Sequence, residues 1–294
     1  MHSLTDQKVK ARMKRRVMSN NIFKAIFFLA TTFGIMVLGV LLYQVISEGI
    51  RFIDWNFLTG KLSTDPDRAG IMGAILGTMW LMAVVVPVTM ILGIATAIYN
   101  ELYAKKGKFQ AIIQTNISNL SGVPSIVYGI LGMTIFASAL NLGSVVLAGG
   151  LTLSLLVLPI VIVSSQEAIR AVPGFLSEAS IGLGATKWQT VKNIILPASL
   201  PGILTGTILA LSRAIGETAP LVVLGIPALL LPFPNGLMDR FTVLPMQIYY
   251  WTLDSSLVEE YKFLASATII VLLLMLFILN SVAIIIRNKF QRRY

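Results

Sequence analysis

Apolar residues fall in long runs separated by short polar breaks, and the lengths of those runs dictate the elements. The first run covers residues 22–46 with Lys24 as its only charge. It is too long for a signal-peptide core and no small-residue cleavage site follows it, so it predicts a retained helix. The next, residues 71–99, carries no charge and holds Pro87 in its interior, a predicted kink or hinge. Residues 109–166 then follow without a charge. That is too much chain for one crossing, and Asn141, Leu142 and Gly143 supply a turn that divides it into spans near 111–138 and 144–165. A fifth span is predicted over 202–230 and a sixth over 263–286. A helix needs about 20 apolar residues to cross a bilayer, so the pattern predicts an all-α membrane protein. Its single transmembrane domain covers 22–287, between polar tails at 1–21 and 288–294, with one polar segment at 166–201 between spans four and five.

Composition agrees and removes the alternatives. Of 294 residues, 56% are hydrophobic and only 12% charged, against about 25% charged in an ordinary globular domain. A soluble enzyme and a disordered chain are excluded on that ground. A transmembrane β-barrel is disfavoured because its strands alternate apolar and polar residues over short stretches. With no cysteine there is no disulfide, thiolate metal site or thiol switch, and His2 is the only histidine.

The net charge of +10 reads as orientation and not as a nucleic-acid patch, because the basic residues flank the span ends. Placing both termini in the cytoplasm puts seventeen Lys and Arg on that side, among them Arg12, Lys105, Lys187 and Arg287. Five lie opposite: Arg51, Lys61, Arg68, Arg240 and Lys262. That asymmetry sets the expected orientation. Residues 48–70 and 231–262 then face outward with eight of the thirteen acidic residues. Trp55, Phe57, Tyr249, Tyr250 and Trp251 are expected there as interfacial belt residues.

The segment from Pro173 to Pro201 is too polar to span and too regular for a linker. Pro173 suits the first turn of a helix, and Gly182 and Gly184 offer a stop with positive φ. Thr186 and Gln189 have the spacing of a capping box for a second short helix ending near Pro197. Two short helices joined at a glycine suit either a docking element for another protein or a helix lying on lipid. No phosphate-cradling loop exists in the chain: neither Gly60-Lys61 nor Gly107-Lys108 has a P-loop glycine before it or Ser/Thr after it. The chain is therefore expected to leave ATP hydrolysis to a partner.

The fifth span holds the one basic residue that is not beside a span end, Arg213, with Glu217 four residues on. Spacing of four puts both on one helix face. They serve either as a structural ion pair or as an anion site in which the guanidinium fork meets oxyanion oxygens. In the third span Pro124 breaks the helix beside Asn116, Asn119 and Ser121, which is tolerated only against protein or a watery cavity. Ser125 and Tyr128 there offer hydroxyls, either to an anion or as glue between helices.

Glu178, Ala179, Ser180 and Gly184, followed by Ile194 and Leu196-Pro197, resemble the EAA loop of permease subunits of bacterial ABC importers, with Ser180 where alanine is usual. Arg213-Ala-Ile-Gly-Glu217-Thr-Ala-Pro220 and Gly122-Val-Pro-Ser-Ile-Val-Tyr-Gly129 resemble the signatures of the phosphate-specific permeases, of the PstA and PstC type and PstA above all, and the likeness covers nearly the whole chain. The resemblance implies a type I (MetI-like) permease of the bacterial inner membrane, not itself an enzyme. It implies inorganic phosphate as solute and Arg213 and Glu217 as the charged pair on its route. Its partners would be a PstC-like second permease, two PstB-like ATPases binding ATP and magnesium, and an external PstS-like phosphate-binding protein. It makes the 166–201 segment a coupling loop. The rivals are a permease for sulfate, molybdate or phosphonate, and a channel independent of ATP.

Overall fold

The computed structural model describes residues 2–105, 107–228 and 232–290, without side-chain detail at 2–8, 10, 11 and 290. Lys106, the end of the expected fifth span at 229–230, and Arg292 and Arg293 of the expected C-terminal tail lie outside the described residues. Twelve α-helices follow in order: α1 His2–Gly49, α2 Trp55–Thr59, α3 Met72–Ile98, α4 Lys108–Leu120, α5 Ser125–Gly132, α6 Val146–Arg170, α7 Gly174–Gly182, α8 Lys187–Thr190, α9 Leu196–Gly216, α10 Ala219–Val223, α11 Leu244–Asp254 and α12 Glu260–Phe290. Five helices are long and apolar enough to cross a membrane, and six crossings result if the bent pair 108–120 and 125–139 counts as one.

The core is α6, packed between α3 and α9. Lipid gives no hydrophobic drive for helices to associate, so close fit and internal hydrogen bonds hold such bundles. Small residues provide the fit. A Cβ on Gly150 would stand 2.6 Å from Val84 of α3, and one on Gly202 would stand 2.8 Å from Ala168 of α6. Polar side chains inside the bundle turn back on their own helices: Thr89, Thr152, Ser154 and Thr207 each donate to a carbonyl four residues earlier. Pro87 sits inside an unbroken α3, two residues before the Thr89 hydroxyl that bonds the Val85 carbonyl at 2.7 Å.

Several expectations change here. The helix from α8 does not end near Pro197. A π-helical turn at Val191–Ile195 leads straight into α9, so residues 187–216 form one continuous rod. The wider turn reaches back five residues, Leu196 N–H to the Val191 carbonyl, and so spares the helix the clash and missing donor that proline brings to a regular turn. At its other end the rod stops at Gly216, and Glu217 and Thr218 are non-helical. The belt expectation fails for two aromatics. Phe57 and Trp251 are each only 3% exposed and stack with ring centroids 6.3 Å apart, and Trp251 stacks again on Tyr261. They form the core of a cap that residues 50–70 and 232–262 build over one end of the bundle. Trp55 does remain open.

That cap also satisfies the start of α6. The first amides of a helix have no partner within it, and here Val146 N–H donates to the Asp239 carbonyl and Leu147 N–H to the Leu237 carbonyl. At the same end α1 is fastened to α12 by Glu48 and Lys262 at 2.8 Å, and the turn after α1 by Phe52 stacked on Phe263. The most apolar stretch of α1 makes no buried contact with the body.

Gly77 of α3 lies directly under the Thr242 carbonyl of the cap, where a Cβ would collide with backbone, whereas Gly39 of α1 has nothing within 4 Å. Gly77→Ala is expected to lower the thermal unfolding midpoint in detergent, with overpacking costing roughly 1–3 kcal/mol. Gly39→Ala should leave it unchanged or slightly raised, since alanine outdoes glycine inside a helix by roughly 0.5–1 kcal/mol.

Candidate functional site

Two regions hold the candidate residues. In the first, two interrupted helices face each other. α4 and the 125–139 helix meet at 103° across a break at 121–124, where Pro124 is extended with ψ 137 and cannot continue α4. α9 and α10 are separated by Glu217 and Thr218. The second halves touch: a Cβ on Gly129 of α5 would stand 2.8 Å from Pro220 Cα and 2.9 Å from Val223 Cβ of α10. Gly122–Gly129 and Arg213–Pro220, remote in sequence, are thus adjoining parts of one structure.

Arg213 occupies the last turn of α9, where the helix dipole favours a cation. Its Nε donates to Glu217 Oε1 at 3.1 Å. The pairing arises differently from the expectation of a shared helical face, because Glu217 lies beyond the helix end with ψ 126 and folds back. The Arg213 side chain is 50% exposed and that of Glu217 16%. Among the described residues the two terminal guanidinium nitrogens make no hydrogen bond, leaving most of its five donors free. Tyr128 is buried and donates its hydroxyl to the Leu120 carbonyl at 2.7 Å across the break. Its hydroxyl hydrogen is therefore engaged in closing the bend. Ser125 begins α5, half-buried, and its hydroxyl has no partner among the described residues. Asn116 and Asn119 are exposed on α4.

The second region is 171–195. α7 ends at Gly182, Gly184 turns the chain with φ +87, and Thr186 and Gln189 form the capping box of α8. Glu178 and Ala179 are exposed. Ser180 does more than replace alanine: its hydroxyl and that of Thr190 lie 2.9 Å apart and staple α7 to α8. The segment is seated on the bundle by Val191 and Ile195, buried against Ala97 and Ile169. Sequence reasoning missed its apolar outer surface. Phe175, Ile181, Leu183 and Trp188 are exposed, Leu183 by 90%, and a patch of that kind marks an interaction surface. The signal was present in Gly182-Leu183-Gly184, an apolar residue held out on a turn.

A family model described as the binding-protein-dependent transport system inner membrane component matches residues 90–294. The chain belongs to that family. It is an inner-membrane permease of the ABC importer class, a transport subunit and not an enzyme. Among its relatives, the probable ABC transporter permease protein YqgI of Bacillus subtilis is 31% identical over 71% of each chain. The phosphate transport system permease protein PstA 1 of Mycobacterium tuberculosis strain H37Rv is 32% identical over 71% of this chain and 69% of its own. PstA of Xylella fastidiosa strain Temecula1 is 29% identical over 94% and 96%. The permease shares its fold with chains of the MetNI methionine ABC transporter, at TM-score 0.60, 15% identity, and 76% and 96% coverage. It shares it too with a chain of a bacterial alginate ABC transporter, at TM-score 0.61, 15% identity, and 92% and 94% coverage. The fold is the type I, MetI-like one.

A side chain at Gly184 would have open space around it, so only the backbone resists substitution. Gly184→Val is expected to cost about 1–3 kcal/mol, the range for a non-glycine residue held at such a φ. Hydrogen exchange of the permease in detergent should then speed up at the amides of residues 183–190 and remain unchanged in α3.

Proposed function

We propose that the permease is the PstA-like subunit of an ATP-driven importer of inorganic phosphate. The observation that carries this reading is Arg213: a half-open guanidinium with free donors, placed where two interrupted helices meet. Discontinuous helices at membrane depth are the usual makings of a solute site, with helix ends and loose backbone facing the solute. A planar fork of N–H donors suits a tetrahedral oxyanion better than a point charge does. Ser125, at the start of α5, offers a hydroxyl and a helix N-terminus in the neighbouring interrupted helix. The relatives named as phosphate transport permeases give the solute its name.

In this reading a second, PstC-like permease encloses the other half of the pathway. A pair of PstB-like ATPases binds ATP and magnesium and receives the surface made by Glu178, Ala179, Leu183 and Trp188, while a PstS-like binding protein delivers phosphate to the capped end. The bias of Lys and Arg toward the end bearing α7 and α8 supports a cytoplasmic placement for that end and for both termini. ATP binding closes the ATPase pair and pulls on α7 and α8, the bundle opens outward, and hydrolysis resets it.

Arg213→Ala in the assembled transporter should reduce phosphate uptake into proteoliposomes roughly 10- to 100-fold, the worth of one or two charge-assisted hydrogen bonds. Co-purification of the partner subunits should be unaffected. Near-normal uptake would remove Arg213 from the solute route. Uptake by the unsubstituted complex that sulfate or molybdate blocks better than phosphate would reassign the solute.

A further inference from the structure

The geometry points to the π-helical turn Tyr99–Tyr103 as the element through which α7 and α8 act on the solute site, with Arg170 and Glu101 as its positioning pair. This inference rests on the reading of α7 and α8 as the surface on which an ATPase docks.

The turn ends α3, and three separate elements grip its five residues. Arg170, the last residue of α6, forks onto the Glu101 carboxylate, Nη2 to Oε1 at 2.6 Å and Nε to Oε2 at 2.8 Å. Its remaining arm holds Glu167 at 2.9 Å. Lys187, the first residue of α8, places its ammonium 4.6 Å from the centre of the Tyr103 ring. Gln110 of α4 donates from Nε2 to the Asn100 carbonyl at 2.9 Å. One short turn therefore touches the docking segment, the core helix and the helix that leads to the break at 121–124.

The connections beyond the turn are also rigid. α4 is clamped to α6 a turn further on by the reciprocal amide pair of Gln114 and Gln166, at 3.0 and 2.9 Å. α4 then ends at the Leu120 carbonyl, which the Tyr128 hydroxyl of α5 holds across the break, and α5 in turn packs through Gly129 on Pro220 of α10. A displacement of α8 thus has a continuous packed route to the solute site. Coupling between distant sites also requires an element with two arrangements that both sites bias. The turn has that character. Its register is π-helical, which in helices often marks functional positions, and Asn100 Nδ2 is buried in it with no partner among the described residues. An unpaired buried donor is a penalty that another arrangement of the turn can relieve. The bidentate Glu101 fork selects the present one. With Glu101 side-chain exposure at 14%, the fork is partly shielded from solvent, which makes it stronger than an open surface pair.

The test uses the complete transporter, permease with its partner subunits, in proteoliposomes with inorganic phosphate as probe. Glu101→Gln should raise the ATP hydrolysed per phosphate imported about tenfold, the size of an ordinary coupling free energy between sites, while total ATP hydrolysis stays near the unsubstituted rate. Combining Glu101→Arg with Arg170→Glu should bring the ratio back toward the unsubstituted value. A purely structural role predicts instead that hydrolysis and uptake fall together, leaving the ratio unchanged, and that outcome overturns the inference. So does a charge-swapped complex that assembles but does not recover. A second readout needs no solute: spin labels on Ser118→Cys and Leu209→Cys, in a chain with no cysteine of its own, report the distance between α4 and α9. ATP binding should shift that distance in the otherwise unsubstituted complex and not with Glu101→Gln; a shift in both overturns the inference. If the unsubstituted complex imported no phosphate, the phosphate reading would fall while the label distances still judged the turn.

Discussion

A helix that stops inside a bilayer must hand its unpaired backbone groups to something other than lipid. Among the described residues two apolar helices are interrupted, at 121–124 and at 217–218, and the interruptions are brought together by Gly129 set against Pro220. Much else in the molecule follows from this placement. The Leu120 carbonyl accepts from both the Val123 N–H and the Tyr128 hydroxyl, and Gly132 lets α5 lie against Thr152 of the core helix. The only basic side chain within a predicted span that is far from its ends comes to lie at a helix terminus instead of a helix middle. Each device offsets a cost that a straight helix would not incur, and together they leave an open, polar corner in an otherwise apolar bundle.

The two ends of the bundle are built on different principles. At the capped end the segments between spans bury Phe57, Trp251, Leu244 and Leu264 in a small core of their own, and there water supplies the hydrophobic drive that lipid withholds. Burying a large side chain in such a setting contributes about 1.5–3 kcal/mol. At the opposite end the segment after α6 keeps Leu183 and Trp188 outside and is fixed by directional contacts: a capping box, the Ser180 to Thr190 staple, and the fork of Arg170 on Glu101. One end is a closed lid on its own core. The other is a stiff surface with its apolar residues still unspent.

The long apolar helices were legible because lipid demands runs of apolar residues that few other environments tolerate, but the fifth, expected over 202–230, runs over 187–216. Also legible were local stops whose chemistry is contained in two or three residues: Asn141 and Gly143 both adopt positive φ at the turn between spans, Gly184 does so after α7, and Thr186 pairs with Gln189. Proline was read too simply. Pro124 breaks a helix, while Pro197 is carried by a π turn and Pro87 by an intact helix; which outcome prevails depends on neighbouring helices that one sequence window does not contain. Aromatic residues at a span end were ambiguous for a similar reason, since Trp251 suits an interfacial belt and a buried cap equally well until its partners are known. In the candidate site the two motifs stand apart in the sequence and their meeting was not legible, because Gly129 and Pro220 are brought together by the whole bundle.

The departure of Glu217 from the helix has a consequence for the chemistry at Arg213. On a continuous helix a carboxylate four residues on would be tied to the same face as the guanidinium. Beyond the helix end, Glu217 is carried on extended backbone with ψ 126 and meets the guanidinium from there. The Arg213 cation is balanced by Glu217 and by the negative end of the α9 dipole. In the proposed role an arriving oxyanion competes with Glu217, through donors of Arg213 that make no hydrogen bond among the described residues. Such competition limits how tightly the anion is held, and a carrier gains from that limit: a buried anion on an unopposed arginine would be slow to leave. In the proposed role, the pair is suited to passage more than to storage, because Glu217 returns to the same nitrogen when the anion departs.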